Sequence, residues 1–144
     1  MELTGTAVCD GHAEGRLLVL EKPLSFWGGV DPLTGDTVDP RHPQYKARTS
    51  GRILVMERTI GSSSSSAIML ELLRNGVAPA GIVVADTDAI LVLGILVAGE
   101  LGYPTVPLLR LEPAAIGLLT ALDGCPATLR DGRLRVDRPR QGNA

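Results

Sequence analysis

Five consecutive serines follow a glycine at Gly61-Ser62-Ser63-Ser64-Ser65-Ser66, directly ahead of the apolar stretch Ala67-Ile68-Met69-Leu70-Glu71-Leu72-Leu73. A helix that opens inside this run presents unpaired backbone N–H groups and a partial positive charge at its first turn, and so attracts anions. Gly61 lets the backbone approach a ligand closely, and the hydroxyls add hydrogen-bond donors. A serine in that field is also helped toward the alkoxide it must become to act as a base. The pattern alone reads equally well as a capping serine followed by low-complexity filler. It lacks the lysine of a phosphate-binding Walker loop, so nucleoside triphosphates are not expected ligands.

A second stretch, Pro23-Leu24-Ser25-Phe26-Trp27-Gly28-Gly29-Val30-Asp31-Pro32, joins an aromatic pair to two glycines. It reads as a rigid turn with exposed backbone, suited to a ligand or subunit face, or as a loop anchored in the core by Trp27. Asp31, Asp36 and Asp39 crowd the same region, but their spacing does not match a calcium-binding EF-hand loop. His12 and His42 are isolated. His42, within Asp39-Pro40-Arg41-His42-Pro43-Gln44, reads as a structural loop histidine or as one that serves a partner's site. No Ser/His/Asp spacing suggests a triad, and Glu71 and Glu100 read as solvated helix residues. Cys9 and Cys125 lack CxxC spacing; they could pair in an oxidising compartment but read as buried, reduced thiols. Two cysteines alone cannot hold an iron–sulfur cluster, which generally takes about three or four.

These residues need elements to hold them. Thr4 to Cys9 and Arg16 to Leu20 read as short strands with Asp10-Gly11-His12 turning between them. Arg52-Ile53-Leu54-Val55-Met56 and Gly81-Ile82-Val83-Val84-Ala85 are continuous β-prone runs of the kind found in buried strands, and Thr105 to Leu109 is a third. A helix starting within the serines ends at Gly76 with Pro79 beyond; Ala89 to Leu101 forms a second, ending at Gly102, and Ala114 to Leu122 another. Ala127–Leu129 and Arg133–Val136 make a hairpin through Asp131-Gly132. Strand and helix thus alternate in the second half while both ends look antiparallel, which predicts an α/β domain with a mixed sheet. Between Glu21 and Ser50 no periodicity is sustained. A stretch of that length inside a compact domain is functional or disordered in most cases. This one contains Phe26, Trp27 and Tyr45, three of only four aromatic residues, and is therefore expected to be ordered, at least with a partner bound.

The chain's 144 residues suffice for one domain with an ordinary core, built here from Leu, Val, Ile and Ala. A formal net charge of -2, with no basic block, argues against nucleic acid as the main partner. Arg130, Arg133, Arg135, Arg138 and Arg140 are interspersed with Asp131 and Asp137 and read as a solvated strand and tail. Met1 to Gly5 does not resemble a signal peptide, and the longest apolar stretch, Ala89 to Gly99, is too short to span a bilayer. A cytoplasmic protein with no membrane association is expected.

Taken together, Pro23 to Asp31, Arg41-His42-Pro43-Gln44, Gly61 to Ser66 and Ala78-Pro79-Ala80 resemble the small subunit of aconitase X enzymes, in order and across about residues 1 to 110. The resemblance implies a swivelling β/β/α domain like the fourth domain of aconitase. It would occupy residues 1–138, with a functional loop at 21–50 and a C-terminal tail at 139–144. It implies a large partner subunit that carries an iron–sulfur cluster, no metal on this chain, a small-molecule substrate, and a chain that is inert alone. Carried over residue by residue, Ser62 becomes the base that removes a proton during dehydration. Ser63 becomes a substrate ligand, with Gly61 and Ser64 completing the contact; aconitase has arginine where Ser64 stands. Ser25, Phe26, Trp27, Gly28, Gly29 and His42 become candidates for a substrate or subunit face. Family members often carry Gly-Arg-Gly before the serines, whereas Thr59-Ile60-Gly61 stands here. Arg52 or Arg58 could replace the missing guanidinium, although strand alternation turns Arg58 the wrong way. The family has two substrate branches, cis-3-hydroxy-L-proline and (R)-5-phosphomevalonate. A composition with Lys22 and Lys46 as its only lysines and without that arginine favours the hydroxyproline branch. A non-catalytic docking or regulatory module with the same fold is the alternative of another class.

Overall fold

Ile53–Met56 and Gly81–Val84 are buried at every position, which in a sheet requires cover on both faces. The structure, a computed structural model, supplies that cover and describes residues 1–60 and 64–138. Gly61, Ser62 and Ser63, and the tail expected at 139–144, lie outside the described residues. In chain order the elements are β1 (Glu2–Thr4), β2 (Thr6–Cys9), β3 (His12–Val19), a single turn α1 (Phe26–Gly29), β4 (Ile53–Met56), α2 (Ser64–Arg74), β5 (Gly81–Val84), α3 (Ala89–Glu100), β6 (Leu108–Arg110), α4 (Pro113–Leu119), a 3-10 turn at Thr120–Leu122, β7 (Pro126–Arg130) and β8 (Arg133–Val136).

The strands form one mixed sheet in the order β1-β8-β7-β3-β4-β5-β6-β2. The β3-β4-β5-β6 ladder is parallel, with Leu17 opposite Ile53 and Ile53 opposite Gly81. The remaining pairings are antiparallel. The two strands at the ends of this order are consecutive in the chain and separated only by Gly5, so the sheet closes on itself there. Gly5 donates its N–H to Gly132 O at 2.9 Å, and a Cβ at this position would collide with the carbonyl oxygen of Arg110. Alternation along the parallel strands then sorts the core into two sets. Leu17, Ile53, Val55, Val83 and Leu109 join Leu129 and Leu134 on the enclosed face, with Leu119 and Leu122 from the α4 region. Leu18, Leu54, Met56, Ile82 and Val84 face the other way, against Met69 and Leu72 of α2, Leu91 and Ile95 of α3, and the 21–50 loop. Each fully buried aliphatic side chain contributes about 1.5–3 kcal/mol. Among the described residues no helix is long and apolar enough to cross a membrane.

The mixed α/β sheet agrees with the sequence reading; several boundaries do not. The strand expected at Thr4–Cys9 is two strands that part at Gly5 to serve opposite ends of the order. β3 begins at His12 rather than Arg16, and it pairs with β4 and β7 rather than with β2. The strand expected at Thr105–Leu109 starts instead at Leu108, because Pro104 and Pro107 have no N–H for the ladder. The last helix tightens into a 3-10 turn after Leu119.

Candidate functional site

The parallel strands β4 and β5 leave the sheet at the same end, and three segments converge there. Glu57, just past β4, accepts the N–H groups of Ala85 and Asp86 with its carbonyl, each at 3.0 Å. Thr59 bridges Leu24 of the long loop, and Ile60 N donates to Leu24 O at 3.1 Å. Thr59 Oγ1 also reaches Asp88 Oδ2 at 3.4 Å, and Asp88 Oδ1 caps α3 by accepting from Ile90 N at 2.9 Å. Both α2 and α3 therefore open at the carboxyl end of the parallel ladder, where open α/β sheets place their ligands. The serine run follows Ile60 in the sequence; Gly61, Ser62 and Ser63 are outside the described residues, and α2 begins at Ser64. Ser64 is half-buried as the first residue of α2. Ser65 is 2% exposed, and its hydroxyl has no hydrogen-bond partner.

The 21–50 loop packs against Thr59 and Ile60 and is ordered by its own contacts. Leu24, Phe26 and Val30 are buried. Phe26 was a candidate for the exposed face; the structure corrects this, because its ring is fully enclosed in the outer core and anchors the loop. Trp27, the other candidate anchor, is 59% exposed. The chain swings the indole outward because Trp27 (φ −76°, ψ 119°) leaves the helical conformation and Gly28 follows at φ 77°, a value costly for any residue with a Cβ. Ser25 Oγ donates to Trp27 O at 2.9 Å and holds the turn.

His42 is buried, and both of its ring nitrogens are engaged within the loop. Nδ1 accepts from Gln44 N at 3.0 Å, so Nε2 carries the proton and donates to Lys22 O at 3.0 Å. It is a strut that ties the loop to itself. The loop's aspartates hold its backbone as well. Asp31 accepts from Leu33 N at 2.9 Å, and Asp36 lies 3.6 Å from Arg48. Asp39 accepts from the Arg41 backbone N–H and from Nε, which holds its carboxyl below the usual carboxylate range.

A groove of about 650 Å³ is walled by Ile60 and, from the loop, by Trp27, Gly28, Val38, Arg41 and His42. Ser25 and Gly29 line it too, so five of the six loop candidates share one groove with Ile60 and Phe26 does not. The groove is largely apolar, with Ile60 53% exposed and the Arg41 guanidinium at its rim. Of the two arginines considered as replacements at position 60, Arg52 is engaged elsewhere. Arg52 donates Nε to Arg16 O (3.2 Å) and Nη2 to Leu17 O (2.7 Å) at the far end of β4, and Arg58 points to solvent. Sequence reasoning passed over Val38 and Asp88 and named Arg41 only as part of a motif; Asp88, an N-cap directly ahead of an apolar helix, carried a readable signal.

The donors of this chain do not fit an iron–sulfur cluster. Cys9 is buried on β2 against the outer core, and burial, then the Asp10 carboxylate, push its thiol up. Cys125 packs beside the inner core. Among the described residues no group of three or more His, Cys, Asp or Glu side chains comes together.

Comparison with known proteins gives this geometry its context. The family model described as "Aconitase X swivel domain" matches residues 2–134. The chain is 40% identical over 130 residues to cis-3-hydroxy-L-proline dehydratase of Pseudomonas aeruginosa, covering 89% of this chain but 22% of that protein. It is 36% identical over 124 residues to the phosphomevalonate dehydratase small subunit of Pyrococcus furiosus, covering 86% of this chain and 90% of that one. The crystal structure of Thermococcus kodakaraensis aconitase X in its holo form superposes with a TM-score of 0.82 at 28% identity, over 96% of this chain and 99% of that chain. A family match across residues 2–134, with relatives at 36–40% identity, shows that this protein belongs to the aconitase X swivel-domain family.

Proposed function

We propose that this chain is the swivelling-domain subunit of a two-part dehydratase, and that Ser62 is the base that takes a proton from a small hydroxylated carboxylate. The observation that supports the reading is the meeting of Thr59 and Ile60, the start of α2 at Ser64, the α3 cap and the loop groove at the carboxyl end of β4 and β5. In the step assigned to this chain, the C–H bond next to the carboxylate breaks, its proton passes to the Ser62 Oγ anion, and the electron pair forms the carbon–carbon double bond as the neighbouring C–O bond breaks, the departing hydroxide being taken up by an acid supplied from outside this chain. A serine hydroxyl ionises far above neutral pH, so its anion must be stabilised by the amides opening α2 and by charge from outside the chain. Ser63, Ser64 and Gly61 then bind the substrate's oxygen atoms. Trp27, Val38 and Ile60 form the face that meets the large subunit. The iron–sulfur cluster of the family, for which this chain has no donor set, belongs on this reading to that subunit.

Cis-3-hydroxy-L-proline is the substrate this site favours. Ile60 stands where family members often carry arginine, whereas a phosphate monoester calls for several charged donors. A specific observation supports the second reading, phosphomevalonate: the Pyrococcus relative of that name is a separate small subunit of nearly the same extent. Reconstitution with the large subunit and assay on both compounds tests the pair of readings. Ser62→Ala should abolish turnover while the complex still assembles. Undiminished activity in that variant removes the base assignment.

A further inference from the structure

α3 packs along α2, and at one point their backbones come very close. Gly94, in the middle of α3, is buried. A Cβ placed there would lie 2.9 Å from both the Cα and the carbonyl oxygen of Ser66, and 3.1 Å from its Cβ. Carbon atoms in contact ordinarily sit ~3.5–4.0 Å apart, so a single methyl group would force the helices apart by roughly half an ångström to one. Two of the three atoms it meets are backbone and cannot rotate away. Other helical glycines differ. Gly99 would meet only the side chain of Thr105, at 3.1 Å, and Gly117 nothing within 4 Å.

What Gly94 presses against is the opening turn of α2, since Ser66 is that helix's third residue. α3 is itself fixed at its start by the Asp88 cap and by the contact from Thr59. We infer that Gly94 is a positioning residue for the opening turn of α2, Ser64 to Ser66. Because it has no side chain, it sets how deep that turn sits against α3. The inference rests on the proposed role of Ser62, since only then does the depth of this turn govern turnover. A misplacement of about 1 Å can lower a rate by about 10²-fold.

The test uses the complete two-subunit enzyme and whichever of cis-3-hydroxy-L-proline or phosphomevalonate it turns over. Gly94→Ala should lower kcat about 10- to 100-fold with KM within about twofold. Gly117→Ala, which adds its methyl group to open space, should keep the wild-type kcat. In Gly94→Ala the amide hydrogen exchange of Ser64, Ser65 and Ser66 should change while β4 and β5 keep native protection. Should that chain fail to fold, Ser66→Gly, which slackens the same crossing, is measured instead and should also lower kcat severalfold. A wild-type kcat with unchanged exchange at Ser64–Ser66 overturns the inference. So does a loss of protection spread evenly over the core, which would make Gly94 a stability residue only. If Ser62→Ala remains active, the base assignment falls and the exchange at Ser64–Ser66 alone decides the role of Gly94.

Discussion

Phe26 and Trp27 are neighbours in the chain with opposite environments, and replacing each by alanine should separate folding from association. The Phe26 ring is wholly enclosed with Leu24 and Val30 in the outer core, so Phe26→Ala removes its burial and leaves a cavity, at about 3–5 kcal/mol. Against a total stability of about 5–15 kcal/mol, that is enough to lower Tm by roughly 10–20 °C in a domain of this size. Trp27, 59% exposed, supports little of the fold; Trp27→Ala should shift stability by about 0.5 kcal/mol or less. Its indole is the largest side chain on the groove rim. Large aromatic residues of this kind dominate interface energetics, so its loss should weaken binding to the large subunit by about 2 kcal/mol, or about 30-fold in Kd. Thermal unfolding followed by circular dichroism measures the first quantity, and calorimetric titration with the large subunit the second. Equal Tm losses in the two variants would refute the assignment of inside and outside. An unchanged Kd for Trp27→Ala would refute the groove as a subunit face.

Ser65→Ala should stabilise the chain by about 1 kcal/mol, because the hydroxyl it removes is buried without a partner and alanine suits a helix better; a rise in Tm of a few degrees checks this. Cys9, held protonated by burial and by Asp10, should resist iodoacetamide near neutral pH until denaturant is added, while half-buried Cys125 reacts first, as peptide mapping would show. Because the folded state raises the Cys9 thiol above its unfolded value, the unfolded chain ionises first, and stability should fall as pH rises through the ordinary thiol range. A urea midpoint that is flat across that range would contradict the assignment.

The central strands were legible because continuous apolar runs leave few alternatives, and α2 and α3 because capping residues and glycines mark their ends. The hairpin was legible from Asp131-Gly132, which adopt φ 52° and φ 73° as a tight two-residue turn demands. The closure at Gly5 was not, since it depends on strands distant in sequence coming together at a residue with no local peculiarity. Nor could sequence decide which of two adjacent aromatics turns inward; backbone angles at Trp27 and Gly28 settle that, and they follow from how the loop docks. The apolar run of α3 gave no sign of which face is covered; Leu93, Leu96 and Val97 face outward. The candidate site was legible as two motifs. Their approach through the Leu24–Thr59 bridge required the fold.

Glu2 pairs with Arg135, and Met1 and Val136 exchange backbone hydrogen bonds at 3.0 and 2.8 Å. The first and last strands therefore exit from one corner of the domain. A tether to a larger chain could be attached at either end and would depart from the same spot, leaving the opposite rim unobstructed. The domain could thus serve as a separate piece or as a covalent extension without redesign.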